Sequence, residues 1–277
     1  MNIIGIIKDA FLFPSKNTGR FAIYLLLSVL MIGFVIGGFL TNIFGIFNAE
    51  NYLYGGIYYI IAMLIGFIIS GYHIKIIKSG IELNEEVPVF ELFDDFMTGF
   101  NNIVVSIFYF IIPALIVLLI GLDTNVFGNA FAVGQEFVSE IFNVYIMGNS
   151  TSIAVNALSH TVTNFMHSLT ITLTAALIIF TIFAILQSAG EARLANTGSL
   201  REALNIFEAA KDIKRIGIIR VIILIIILFA IIAIIEFIFI TLFQYYPFLL
   251  TIIYIILTPY MALVTQRAIG LAYSDIA

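Results

Sequence analysis

Cysteine and tryptophan are both absent from this 277-residue chain. The first absence excludes disulfides, thiolate metal sites and cysteine nucleophiles. The second leaves tyrosine to anchor a membrane interface, a task open to Tyr52, Tyr54, Tyr58, Tyr59, Tyr245 and Tyr246 at the ends of apolar runs. Charge is also scarce: 10% of residues are charged against 62% apolar, and mean hydropathy is +1.13. A soluble domain is nearer half apolar, so this composition calls for lipid as solvent. No phosphate-cradling glycine loop, nucleophile elbow, HExxH motif or basic nucleic-acid face is found. The chain therefore carries no expected catalytic residue, metal ligand or cofactor site, and is read as no enzyme and no partner of nucleic acid.

What is present is a set of apolar runs, each near the roughly 20 residues that cross about 30 Å of hydrocarbon. Six spans are read, at Phe21 to Leu40, Tyr54 to Ile74, Ile103 to Leu122, Phe165 to Gln187, Val221 to Leu242 and Phe248 to Thr265. An outer segment runs from Asp123 to Asn164, and residues 1–277 form a single integral membrane domain. The twelve Lys and Arg residues all fall on one side of this threading. Lys8, Lys16 and Arg20 precede the first span, Lys75 and Lys78 follow the second, six cations from Arg193 to Arg220 separate the fourth and fifth, and Arg267 ends the sixth. Cations in short loops stay in the cytoplasm, which predicts a multi-pass protein of the cell membrane with both termini inside. Pro247, beside Gln244, supports the turn between the last two spans.

The segments between spans are amphipathic, so the expected fold is all-α: a six-helix membrane bundle with interfacial helices in the cytoplasmic loops. Ile3, Ile7, Ala10 and Phe11 follow helical spacing before Pro14, and Phe90, Phe93, Met97 and Phe100 form a second stripe. Ser199 and Glu202 make a capping box that opens a third helix through Leu204, Phe207 and Ala210. An acidic helix is not drawn to an anionic leaflet, so Lys211, Lys214 and Arg215 are candidate partners for Glu85, Glu86, Glu91, Asp94 and Asp95, with two independently solvated faces as the alternative. Lys75, Gly80 and Gly99 also share their spacing with Arg193, Gly198 and Gly217, which raises a parallel internal repeat against coincidence.

Three stretches carry a family resemblance: GYHIKIIKSGIELNEEVPVFELFDDFMTGF at Gly71 to Phe100, EARLANTGSLREALNIFEAAKDIKRIG at Glu191 to Gly217, and the terminal TPYMALVTQRAIGLAYSDIA. Together they resemble domain of unknown function 4013, a family of archaeal and bacterial membrane proteins, over roughly Gly71 to Ala277. Gly71, Tyr72, Lys75, Gly80, Pro88, Phe93, Asp94 and Arg193 fill its pattern. The resemblance implies an integral membrane protein and adds no catalytic residue.

Glu236 is the only acid inside an apolar span, and an ionisable side chain in lipid is a functional candidate by default. Asn156, His160, Thr163, Asn164, His167, Thr170 and Thr174 recur every three or four residues and share one helical face. Two readings of function stand. One is a non-enzymatic membrane-organising or accessory protein, with membrane lipid and another membrane protein or a second copy as partners. The other is a small permease or channel for protons or a polar solute, with Glu236, His160, His167 and Thr174 as its polar pathway. Gly33 and Gly37 form a GxxxG for close helix packing, Pro113 and Pro259 sit inside spans, His73 is read as an interface residue, and Asn149 opens a glycosylation sequon.

Overall fold

The computed structural model describes residues 2–44, 49–142 and 154–277. Among them the chain is all α-helix apart from one 3₁₀ turn and the connections. Six of the helices are long and apolar enough to cross a membrane. These are α2 (Thr18–Phe44), α3 (Ala49–Ile81), α4 (Leu92–Asp123), α6 (Ala154–Thr197), α9 (Ile218–Phe243) and α10 (Pro247–Tyr273). Shorter helices are α1 (Ile3–Leu12), α5 (Val126–Ile141), α7 (Leu200–Ala203) and α8 (Ile206–Ile216). Helix is the answer a lipid solvent forces, because each backbone N–H and C=O must be satisfied within its own segment. Pro113 and Pro259 both lie inside continuous helices.

Several helices outrun the hydrocarbon. At about 1.5 Å per residue, the 32 residues of α4 reach about 48 Å and the 44 of α6 about 66 Å. The acidic–aromatic stripe from Phe90 to Phe100 is accordingly no separate surface helix: from Leu92 it runs unbroken into the third span. Gly99, the one candidate breaker, serves a close helix crossing instead. Ser199 caps its helix as expected, but α7 stops after four residues and Asn205 caps α8 afresh by accepting from the Glu208 N–H at 3.2 Å.

The chain divides into two compact units. The first comprises residues 1–106 and 186–277, the second residues 107–185. In the first, α2 packs on α3, α3 on α10, and α1 on α10 and α9. Ile6 and Ala10 of α1 are buried with Leu224, Leu228, Val264 and Ala268, so the terminal amphipathic helix covers the last two spans rather than lying alone in the interface. A second cluster joins Phe13, Tyr24, Tyr72, Ile76 and Leu263. In the second unit, Thr124 meets Thr172 at 2.9 Å, the Asn129 amide donates to Ser168 at 3.1 Å, and the Thr161 hydroxyl donates to Glu136 at 2.8 Å. The outer segment thus contributes α5, and α6 begins eleven residues before the expected start of its span. Asn149 and its sequon lie outside the described residues.

Candidate functional site

Within the first unit, the polar ends of α3, α6 and α10 each carry a cation that grips a carboxylate from a segment outside the spans or from the start of a neighbouring helix. Lys75 of α3 places Nζ 2.8 Å from Asp95 and 2.7 Å from Glu91. Asp95 is fully buried, and its other oxygen accepts from the Glu91 N–H at 2.8 Å, which closes the first turn of α4. The Lys75 ammonium holds the exposed Glu91 carboxyl below the usual carboxylate range.

Arg193 of α6 repeats this arrangement with other residues. It donates to Asp212 at 2.7 Å and to Glu202 at 2.5 Å. Asp212, 1% exposed, also accepts from Arg215 at 3.2 Å and from the Tyr273 hydroxyl at 2.6 Å, so one buried carboxylate ties α6, α8 and α10 together. Burial of such a charge is tolerable only with this many donors.

Arg267 of α10 is the third. Only 1% exposed, it donates through Nε to Asp9 of α1 at 2.8 Å, and through Nη1 to the Asn84 carbonyl at 2.9 Å and the Ser79 hydroxyl at 3.1 Å. Its guanidinium carbon lies 4.1 Å from the centre of the Phe13 ring.

Glycines make these grips reachable. A Cβ on Gly71 would come 1.8 Å from the Asp95 carbonyl oxygen, and one on Gly99 1.7 Å from that of Phe67, so α3 and α4 touch backbone to backbone beside Lys75. Gly80 and Gly270 do the same for α3 and α10 below Arg267, where a Cβ on Gly270 would lie 2.2 Å from the Ile77 oxygen. The GxxxG of the first span is used only in part: a Cβ on Gly37 would lie 3.8 Å from the Tyr58 ring, while Gly33 meets nothing within 4 Å.

Of the two readings of the inner-loop charges, these contacts go against docking of one loop on the other. Lys211 bonds Glu208 at 2.6 Å and Arg215 bonds Asp212, while Glu85 meets Lys16 at 3.9 Å. Each loop finds nearer partners than the other loop. The spaced glycines also part company in role, since Gly80 and Gly99 sit inside helices, whereas Gly198 and Gly217 take positive φ of 66° and 104° at helix ends. The shared element is the cation: Lys75 and Arg193 each take one buried Asp and one exposed Glu.

The residues of the expected polar pathway are placed as follows. Glu236 is exposed on α9 in the first unit. His160, His167 and Thr174 are exposed on α6 in the second, with His160 3.3 Å from the Asn164 amide. The face of α6 that packs on its neighbours is the adjacent one, carrying Thr161, Ser168 and Thr172. His73, expected at the membrane interface, places Nε2 2.7 Å from the Tyr24 hydroxyl, between α2 and α3. Histidine and tyrosine in facing spans were the signal available for that pair.

A family model described as a protein of unknown function (DUF4013) matches residues 54–244, more than half of the chain. The chain is a DUF4013 protein. The matched part of this DUF4013 protein holds Lys75, Asp95, Gly99, Arg193 and Asp212, and takes in the outer segment. It ends before the terminal stretch with Arg267, so that part of the resemblance lies outside the match. No curated protein and no solved structure matches this DUF4013 chain.

Proposed function

We propose that this DUF4013 protein is a non-enzymatic membrane-organising or accessory protein of the cell membrane, with the ends of α3, α6 and α10 and both termini facing the cytoplasm. The observation that carries the reading is the set of grips around Lys75, Arg193 and Arg267, which tie α1, α8 and the α3–α4 loop to the ends of the spans as a ledge. The orientation is supported by the distribution of cations: all twelve Lys and Arg fall in the first unit, and residues 107–185 contain none. On that ledge α8 presents Phe207, 82% exposed, beside Lys211 and Lys214, a combination suited to an anionic lipid surface or to an acidic partner helix.

Because the chain lacks cysteine, single-cysteine reporters need no background removal. Lys78→Cys in sealed cells should resist an impermeant maleimide until the membrane is opened; labelling from outside reverses the orientation. Purified protein in liposomes should pass no more protons than empty vesicles. Flux that exceeds the blank and falls on Glu236→Gln would replace the accessory reading with the permease.

A further inference from the structure

A cavity of about 240 Å³ opens where the polar ends of α2 and α3 meet the 82–89 loop. Its lining includes Arg20, Lys75, Lys78 and Ser79 together with the carboxylates Glu82 and Glu86. The loop is a built wall: Tyr72 stacks on Phe90 with ring centres 3.8 Å apart and donates to the Pro88 carbonyl at 3.2 Å, Val87 is buried, and Leu83 takes a positive φ of 53°.

The three cations are not equally free. Lys75 is consumed by Asp95 and Glu91. Arg20 has no carboxylate partner among the described residues, and the nearest for Lys78 is Glu82 at 3.9 Å, with both side chains more than half exposed. Such a pair is worth about 0–1 kcal/mol, so a better acceptor displaces it. Glu86, also in the lining, likewise has no cation partner among the described residues. Height narrows the choice further. Arg20 stands immediately before the apolar run of α2, and Lys78 lies in the last turn of α3, so the cavity sits at the level of lipid headgroups.

We propose that this cavity binds an aminophosphate group, its phosphate between Arg20 and Lys78 and its ammonium toward Glu82 and Glu86. A wall of both signs favours a zwitterion over a simple anion, since sulfate or inorganic phosphate would meet the two carboxylates uncompensated. The group can arrive as the headgroup of an aminophospholipid or as a free phosphoethanolamine, and the lipid is the source the membrane supplies at that height.

The test is lipid retention by the full chain in detergent, read by native mass spectrometry with phosphatidylethanolamine, phosphatidylcholine and phosphatidylglycerol in equal amounts. Phosphatidylethanolamine should be retained preferentially, and Arg20→Gln or Lys78→Gln should each lower its retention about fivefold, the contribution of one cation at a lipid surface. Glu86→Gln should lower it too, whereas Lys8→Gln, away from the cavity, should not. Equal retention of the three lipids, preference for phosphatidylglycerol, or indifference to the cavity variants overturns the site. Soluble O-phosphoethanolamine that raises the melting temperature as much as the lipid keeps the aminophosphate site and overturns the lipid as its occupant. If a variant melts early, competition of the soluble headgroup against bound lipid in the unaltered protein decides between the same outcomes.

Discussion

The two compact units use opposite chemistries to hold their helices. The first holds all twelve cations and binds three of them, Lys75, Arg193 and Arg267, to buried or half-buried aspartates, whereas the second contains no Lys or Arg and, among the described residues, is pinned by hydroxyls, amides and a carboxylate that accepts from a hydroxyl. The contrast follows the solvent. A charge in hydrocarbon costs several kcal/mol unless paired, so ion pairs belong where helices overrun the lipid, while hydroxyl and amide contacts are tolerable at any depth. Strength and position go together: the strong contacts lie at helix ends.

The sharpest way to break the contrast is Arg267→Ala. It takes from Asp9 the closer of its two cations, with Lys16 left at 3.7 Å, and leaves Ser79 and the Asn84 carbonyl without their shared donor, so a loss of about 2–4 kcal/mol is expected in a denaturant titration in detergent. Asp95→Asn keeps shape and removes charge, with an expected loss of about 1.5–3 kcal/mol by the same titration. Gly99→Ala drives a methyl against the Phe67 carbonyl and should cost about 1–3 kcal/mol, through separation of α3 and α4 rather than through charge. In the second unit Ser168→Ala removes the neutral contact to Asn129, along with a bond to the helix's own Phe165 carbonyl, and should cost about 0.6 kcal/mol with no dependence on salt. A loss there as large as that of Arg267→Ala would erase the distinction.

Acid refines the comparison further. Lys75 lowers the folded pKa of Glu91 from the ordinary 4.5, so this carboxylate stabilises the fold above the unfolded value, and that contribution disappears as pH falls through the lowered one. Glu91→Gln should therefore flatten the melting temperature against pH in that acidic window alone, and Ser168→Ala should leave the curve unchanged. An unaltered slope in Glu91→Gln would mean that Lys75 relies on Asp95 only.

The number and type of the spans were legible because hydrophobicity is a local property of about 20 residues. The six apolar runs all became long helices, though with ends beyond those expected, since polar residues such as Lys75 and Glu191 continue the helix past the lipid. The grips were not legible as pairs. Lys75 and Asp95 are 20 residues apart, and Arg267 and Asp9 are 258 apart. Matching loop charges by sign directed attention to the opposite loop, whereas the partner stood at the end of a span. One clue was available: Asp95, Gly99 and Asn102 recur at helical spacing, and that face is the buried one, with the Asn102 amide on Ser70 at 3.0 Å. Glu236 and the histidine stripe were legible as polar residues in apolar runs, but periodicity could not say that the adjacent face, with Thr161, Ser168 and Thr172, would do the packing.

The tie between Asp9 and Arg267 also orders events during synthesis. Asp9 emerges from the ribosome 258 residues ahead of its guanidinium, and the pocket for Ile6 and Ala10 is built from residues of α9 and α10. Until α10 has been delivered to the bilayer, the pocket for α1 lacks Val264, Ala268 and Leu271 and has only its α9 side. Closure of the bundle is therefore a late step of biogenesis, and nascent chains halted before residue 267 should leave α1 open to protease.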